Sequence, residues 1–257
     1  MMHDSVPELS LVVPVLNEAD NVAALSIEIA RALDGALVRW ECVWVDDAST
    51  DGTSAALGRA RAADPRHRPV RLAHPCGQSA ALWVGFQHAR ADVLATMDGD
   101  GQNDPEDLAR MYRELAGTGV DMVVGIRRAR HDPRLRLWSA RVAAFARKVV
   151  LGDTLLDAAS PMRVFRRLCL RRVYPFKGLH RFLAILAHLD GCRIGQMPVA
   201  HRPRTTGVSK YGVGNRLGVG LVDLAAVAWM RRRGLRIDPR DVLGNVTGAE
   251  SPPRVER

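Results

Sequence analysis

Short apolar runs alternate with helical stretches over the first 126 residues, and this alternation constrains the fold more than any other feature. Ser10 to Val15, Glu41 to Val45, Val70 to Ala73, Val93 to Met97 and Val120 to Gly125 are apolar, rich in β-branched residues, and short enough for strands. Between them, Ala19 to Leu33, Thr53 to Ala63, Ser79 to Ala89 and Pro105 to Leu115 carry helical spacing. Such a pattern implies an α/β fold, a mainly parallel sheet with right-handed crossovers. Ligands in such sheets sit beyond the carboxyl ends of the strands. Three polar clusters lie there: Asn17-Glu18, Asp46-Asp47 and Asp98 to Asp104. The fold class therefore predicts that they converge on one edge.

After residue 126 the alternation fades. Leu135 to Leu151 and His180 to Leu189 read as helices, Ile194 to Val199 as a short strand, and His201 to Asn215 as a glycine- and base-rich loop. Arg216 to Arg233 reads as a helix, and the composition from Pro239 onward reads as a frayed tail. The expected division is a main α/β domain over 1–215, an amphipathic helix over 216–236, and a tail over 237–257. At 257 residues and 47% apolar content the chain can bury a substantial core. No run approaches the roughly 18–20 apolar residues that span a bilayer, and the N-terminus does not read as a signal peptide. Cys42, Cys76, Cys169 and Cys192 form no CxxC and read as reduced cytosolic thiols.

Charge is divided unevenly. Residues 1–126 hold 10 Lys/Arg and 19 Asp/Glu, a balance of −9; residues 127–257 hold 27 and 9, a balance of +18. An anionic partner for the second half fits this split: nucleic acid, a membrane surface or a phosphorylated substrate. An arginine-rich solvated surface fits it too. Nucleic acid explains the basic half but not the acidic strand ends, and no aromatic-rich binding motif accompanies the arginines.

The acidic clusters carry the chemistry. In Asp98-Gly99-Asp100-Gly101-Gln102, alternate side chains of an extended segment share a side, which brings three oxygen donors together. Hard divalent cations such as Mg²⁺ or Mn²⁺ take such ligands and keep positions open for substrate phosphates. Asp104, before Pro105, reads as a helix cap, with Glu106 and Asp107 favourable in the first turn. Asp46 and Asp47 end a strand, where a carboxylate can accept from a nucleobase imide; Asp51 and Thr53 read as turn and cap residues.

Three segments, Val13-Pro14-Val15-Leu16-Asn17-Glu18, Val45 to Thr53 and Met97 to Gln102, in this order and spacing, resemble the family 2 glycosyltransferases. Gly77-Gln78-Ser79-Ala80-Ala81-Leu82, Asp98-x-Asp100-x-Gln102 and His201 to Tyr211 are similar to the polyprenyl-phosphate branch, which includes dolichol-phosphate mannosyltransferase. The resemblance covers roughly residues 9–233. It implies a GT-A fold, a nucleotide-sugar donor (UDP- or GDP-linked) and a divalent metal on the donor pyrophosphate. On the matching positions it places the metal at Asp98, Asp100 and Gln102, and the nucleotide at Pro14, Glu18 and Asp47, with Asp46 a neighbouring candidate. It further implies a polyprenyl phosphate acceptor held by Arg127, Arg204, Ser209 and Lys210, and a catalytic set of Asp98, Asp100 and Asp157, the last orienting acceptor or sugar. Around Asp157 relatives carry an acid before Ser/Thr-Gly-Phe-Arg; here the stretch runs Ser160-Pro161-Met162-Arg163, so loop shape and sugar preference depart from the usual pattern.

The implied reaction is inverting transfer to a polyprenyl phosphate at the cytoplasmic membrane face. Transfer to a polysaccharide or another lipid is the alternative. Many relatives end in transmembrane helices. Here Gly218 to Met230, followed by Arg231-Arg232-Arg233, fits a membrane-interfacial helix, a site for an integral-membrane partner subunit, or a helix packed on the domain.

Overall fold

The computed structural model describes residues 6–127, 148–152, 155–203 and 215–233. In chain order these form β1 (Leu9–Val15), α1 (Ala19–Gly35), β2 (Trp40–Asp46), α2 (Thr53–Ala63), β3 (His67–Arg71), α3 (Gln78–His88), β4 (Val93–Thr96), α4 (Pro105–Gly117), β5 (Met122–Arg127), β6 (Arg163–Arg166), α5 (Leu179–Leu189), β7 (Ile194–Val199) and α6 (Asn215–Arg233). The helix expected over Leu135 to Leu151 lies mostly outside the described residues, as do Arg204, Ser209, Lys210 and the expected tail.

The seven strands form one sheet in the order β3-β2-β1-β4-β6-β5-β7. β1 pairs in parallel with β2 and β4, β2 with β3, and β5 with β7. β6 is the exception: it runs antiparallel to both β4 and β5. β6 was not among the expected strands. β3 and β5, expected at Val70 to Ala73 and Val120 to Gly125, instead cover His67–Arg71 and Met122–Arg127. In both, register with a neighbouring strand, not local composition, sets the ends: His67 pairs with Cys42, and Arg127 with Val199.

Strand residues alternate between two cores, as a period of two requires. Leu11, Val13, Cys42, Trp44, Ala95 and Val123 pack with α1, α2 and α4 on one face. Val12, Val43, Val45, Leu94, Val124 and Phe165 pack with α3, α5 and α6 on the other. Pro14 lies in central β1 without a lost hydrogen bond. The Val12 carbonyl accepts from Met97 N, so residues 12 and 14 both face β4, whose last pair with β1 is Thr96 with Val12. Pro14 is therefore past the end of that ladder.

Candidate active site

The three polar clusters do converge. The Ser49 hydroxyl accepts from Asn17 N at 2.9 Å, Asn17 Oδ1 accepts from Thr50 N at 2.8 Å, and the Val15 carbonyl accepts from Asp47 N at 2.9 Å. These bonds lock the loop after β1 to the loop after β2. Asn17 takes φ 52°, a left-handed conformation that asparagine tolerates. Asp51 accepts from Thr53 N at 2.9 Å and from Ala19 N at 3.3 Å, so it supports the starts of α1 and α2 together. Its reading as a turn and cap residue matches these bonds.

Asp46 and Asp47 differ in what they do. Asp46 is buried; it accepts from Ser49 N at 2.8 Å and from the Ser54 hydroxyl, which shapes its own loop. Asp47 accepts from Cys76 N at 2.7 Å and Gly77 N at 2.8 Å, which fixes the approach to α3. Gly77 has φ 89°, a conformation open to glycine and strained for other residues. Glu18 precedes α1, and its Oε2 accepts from Asn21 Nδ2 at 2.6 Å.

Gln78, next along, donates Nε2 to Asp98 Oδ1 at 2.8 Å. An unbroken path thus joins Asp47 to Asp98 through the first residue of α3. Asp100 Oδ1 accepts from Gln102 N at 3.1 Å and tightens the acidic loop. Gly99 sits against β1: a Cβ there would collide with Val15 Cγ1 and lie 3.3 Å from the Pro14 carbonyl. The motif needs glycine at that position for close approach. Burial and the neighbouring Asp100 charge push Asp98 up to about 6. A divalent cation would relieve that repulsion. Asp98 and Asp100 offer hard oxygens, and Gln102 keeps its amide oxygen because its Nε2 donates to the Arg202 carbonyl at 3.3 Å. This donor set fits Mg²⁺ or Mn²⁺.

The acidic loop is also tied to the segment before the expected phosphate-binding loop. Asn103 and His201 form an antiparallel bridge, and the Gln102 carbonyl accepts from Arg202 N at 2.8 Å. Arg202 reaches Glu28 at 2.7 Å and Asp104 at 3.0 Å. Asp104 caps α4, accepting from Glu106 N at 3.1 Å. Asp107 is more than a first-turn acid: it is buried, accepts from Ala200 N at 2.6 Å, and pairs with Arg110.

Arg127 and Asp157 lie at the same edge and pair with each other, at 2.8 and 2.9 Å. The two expected roles, acceptor phosphate and orientation, thus fall on one ion pair. Arg127 Nη1 makes no hydrogen bond among the described residues. Gln196, in β7, accepts from Leu156 N at 2.8 Å and supports the Asp157 turn.

Sequence reasoning missed two residues here. Arg163 is 1% exposed and opens β6, paired with Thr96 at the end of β4. Its Nη2 donates to the carbonyls of Ala158 at 3.2 Å and His180 at 2.8 Å, and its Nε has no partner among the described residues. Desolvation lowers it to about 10 despite the attraction of Asp98 and Asp157. His180 packs beside it, with Nδ1 2.7 Å from the Ser79 hydroxyl. Burial and two neighbouring arginines lower His180 to about 4, so the ring is neutral near pH 7. Gln78, Asp98, Arg127, Pro161, Arg163 and His180 line a cavity of about 90 Å³.

A profile of the family described as glycosyl transferase family 2 matches residues 10–173, which contain both acidic strand ends and Arg163. This chain belongs to the family 2 glycosyl transferases. The transferase is 37% identical over 232 residues to the dodecaprenyl-phosphate galacturonate synthase of Rhizobium johnstonii, a match covering 88% of this chain and 68% of that protein. It is 33% identical to the undecaprenyl-phosphate 4-deoxy-4-formamido-L-arabinose transferase of Edwardsiella ictaluri, over 80% of this chain and 63% of that one. Among solved structures it resembles a mannosyltransferase of Pyrobaculum calidifontis, in complex with GDP-Man and Mn²⁺. That match has a TM-score of 0.62 at 23% identity, covering 90% of this chain and 66% of that one. The transferase therefore has the expected GT-A fold. No helix among its described residues is long and apolar enough to cross a membrane.

Proposed function

We propose that this glycosyl transferase moves a sugar from a nucleotide donor to a polyprenyl phosphate, using a divalent metal. The observation that carries the reading is the antiparallel bridge between Asn103 and His201. It joins the acidic loop, suited to a metal and a diphosphate, to the segment leading into Arg204, Ser209 and Lys210. A donor pyrophosphate and an acceptor phosphate would then meet at one edge. The two relatives' names share a polyprenyl phosphate and differ in the sugar.

Asp98, Asp100 and Gln102 would hold the metal, which offsets charge developing on the departing nucleoside diphosphate. Pro14, Glu18 and Asp47 line the nucleotide side, with Asp46 shaping the loop behind them. Asp157 is a positioning residue that fixes Arg127; Arg127 Nη1, without a hydrogen bond among the described residues, would bind the acceptor phosphate, as would Arg204, Ser209 and Lys210. A phosphate monoester is at least half dianionic near neutral pH, its second pKa being about 6. Its oxygen is already a nucleophile, so alignment and charge neutralisation supply the catalysis, and in-line attack inverts the anomeric centre.

Helix α6 supports a peripheral place at the membrane. Leu224 and Val227 pack on the domain, and Asp223 pairs with Arg181 at 2.7 Å. Val222 and Trp229, two turns apart, are 69% and 64% exposed, next to Arg231-Arg232-Arg233. An apolar stripe beside cations suits a lipid headgroup boundary.

The test is incubation with a panel of UDP- and GDP-sugars, Mn²⁺ or Mg²⁺, and a short polyprenyl phosphate, followed by analysis for lipid-linked sugar. Inverted product, abolished by Asp100→Ala, supports the reading; retained configuration or full activity of that variant overturns it. Flotation with anionic vesicles, wild type against Trp229→Ser, tests the α6 stripe.

A further inference from the structure

Asp98 is held at one oxygen. Its Oδ1 accepts from Gln78 Nε2 at 2.8 Å, and Gln78 is the one hydrogen-bond donor to that carboxylate among the described residues. An ionised carboxylate can only accept, so the amide must present its NH₂ side. Oδ2 accepts no hydrogen bond from the described residues.

The Gln78 backbone is fixed on both sides. Before it, Asp47 accepts from Cys76 N at 2.7 Å and Gly77 N at 2.8 Å. After it, the Ser79 hydroxyl donates to the Lys177 carbonyl at 2.7 Å. The Gly77 carbonyl then accepts from Ala80 N at 3.0 Å and Ala81 N at 3.1 Å, which starts α3. Gln78 thus leaves a backbone with little freedom and reaches a carboxylate on another loop.

We propose that Gln78 is a positioning residue for the divalent metal: it fixes the Asp98 carboxylate with Oδ2 available to the cation, and so sets metal affinity before any donor binds. The inference rests on the metal reading above and adds to it a residue outside the acidic loop.

Two physical arguments support it. Asp98 and Asp100 repel each other when no cation lies between them. An untethered Asp98 side chain would turn away, and binding would have to recover both that energy and the lost rotamer freedom. The amide is also neutral. It holds the anion without cancelling the charge that draws a cation, as an ion-paired lysine or arginine would. Arg127 and Arg163 line the same cavity, yet neither forms an ion pair with Asp98 among the described residues. Groups that orient a metal ligand in this way commonly contribute 10- to 100-fold in affinity.

The experiment titrates the whole chain with Mn²⁺ alone, without donor or acceptor, by calorimetry and by electron paramagnetic resonance of the free ion. Wild type is compared with Gln78→Met, of similar length without a donor, and Gln78→Asn, which keeps an amide one methylene short. Both should bind Mn²⁺ about 10- to 100-fold more weakly, with little change in Tm because the backbone bonds at the start of α3 remain. In the transfer assay the loss should appear in the Mn²⁺ concentration giving half the maximal rate, more than in the rate at saturation. Wild-type Mn²⁺ affinity in Gln78→Met overturns the proposal. A loss confined to the donor KM does too, since Gln78 would then touch the donor and not serve the metal. If Gln78→Met does not fold, Gln78→Asn decides by the same criterion; if neither folds, the side chain holds the fold and the proposal falls. A wild-type chain that binds neither Mn²⁺ nor Mg²⁺ overturns the metal reading itself, and this inference with it.

Discussion

Arg127 and Asp157 meet as a bidentate pair, Nε to Oδ2 at 2.8 Å and Nη2 to Oδ1 at 2.9 Å, with side chains only 15% and 13% exposed. Arg127 ends β5 and Asp157 lies in the turn before β6, so the pair ties two separate segments at the site edge. Removing either partner leaves the other partly buried and unpaired. Asp157→Ala and Arg127→Ala should each lower stability by about 1–3 kcal/mol in urea unfolding. The double variant should lose clearly less than the sum, because the second change removes a charge already orphaned. Strict additivity would show that the two side chains do not act as a unit.

His180 makes stability depend on pH. Its folded value, about 4, lies below the ordinary 6.5. Above pH 6.5 the ring is neutral in both states and the contribution is fully present. As pH falls from 6.5 towards 4 the unfolded chain takes up the proton first, and stability is lost. Asp98, raised to about 6 from 3.8, acts in the opposite direction, gaining stability as pH falls through that window. The measurement is therefore a difference. Between pH 6.5 and 4, His180→Asn should lose less stability than wild type, by about 2 kcal/mol. Parallel pH curves would contradict a buried neutral ring.

Gly99 separates the two carboxylates of the acidic loop and rests against Val15. Gly99→Ala forces loop or strand to shift and should destabilise by about 1–3 kcal/mol. Because the loop is the more easily displaced partner, transfer should fall further than stability does. Thermal unfolding compared with turnover checks this; wild-type activity would mean that the loop tolerates displacement.

Arg202 joins the acidic loop to the segment before the basic loop through Glu28 and Asp104. Its side chain is 39% exposed, so Arg202→Ala should cost less than about 1 kcal/mol of stability. The backbone bond from Arg202 N to Gln102 survives the change, but the clamp on loop position does not. KM for the polyprenyl phosphate should rise several-fold with little movement in Tm. An unchanged KM would separate the clamp from acceptor binding.

Much of the site was legible because its residues follow strands in sequence. Asn17-Glu18, Asp46-Asp47 and Asp98 to Gln102 each end an apolar run, and the rule for parallel sheets carried them to one edge. The same rule missed Arg163, which begins a strand. It reaches the site only because β6 runs antiparallel between β4 and β5, which places its first residue beside the last of β4. A four-residue strand with charged ends, Arg163-Val164-Phe165-Arg166, offers little local pattern by which to recognise it. Asp107 does lie in the first turn of α4, as expected, yet its further role was not legible for a related reason. Its place in the first turn of α4 explains it locally, while its bond to Ala200 joins positions far apart in the chain.

By itself the sequence determined the layered architecture, the acidic edge and the family, because strand and helix periods and a motif's spacing are local properties of the chain. Only the tertiary structure decided which charges satisfy one another. It joined Arg127 to Asp157, enclosed Glu41 among its donors, and left Arg163 beside a cavity with an unmet hydrogen bond. Pairing and desolvation depend on contacts between distant segments, so they are fixed by how the strands are ordered rather than by the residues that flank each charge.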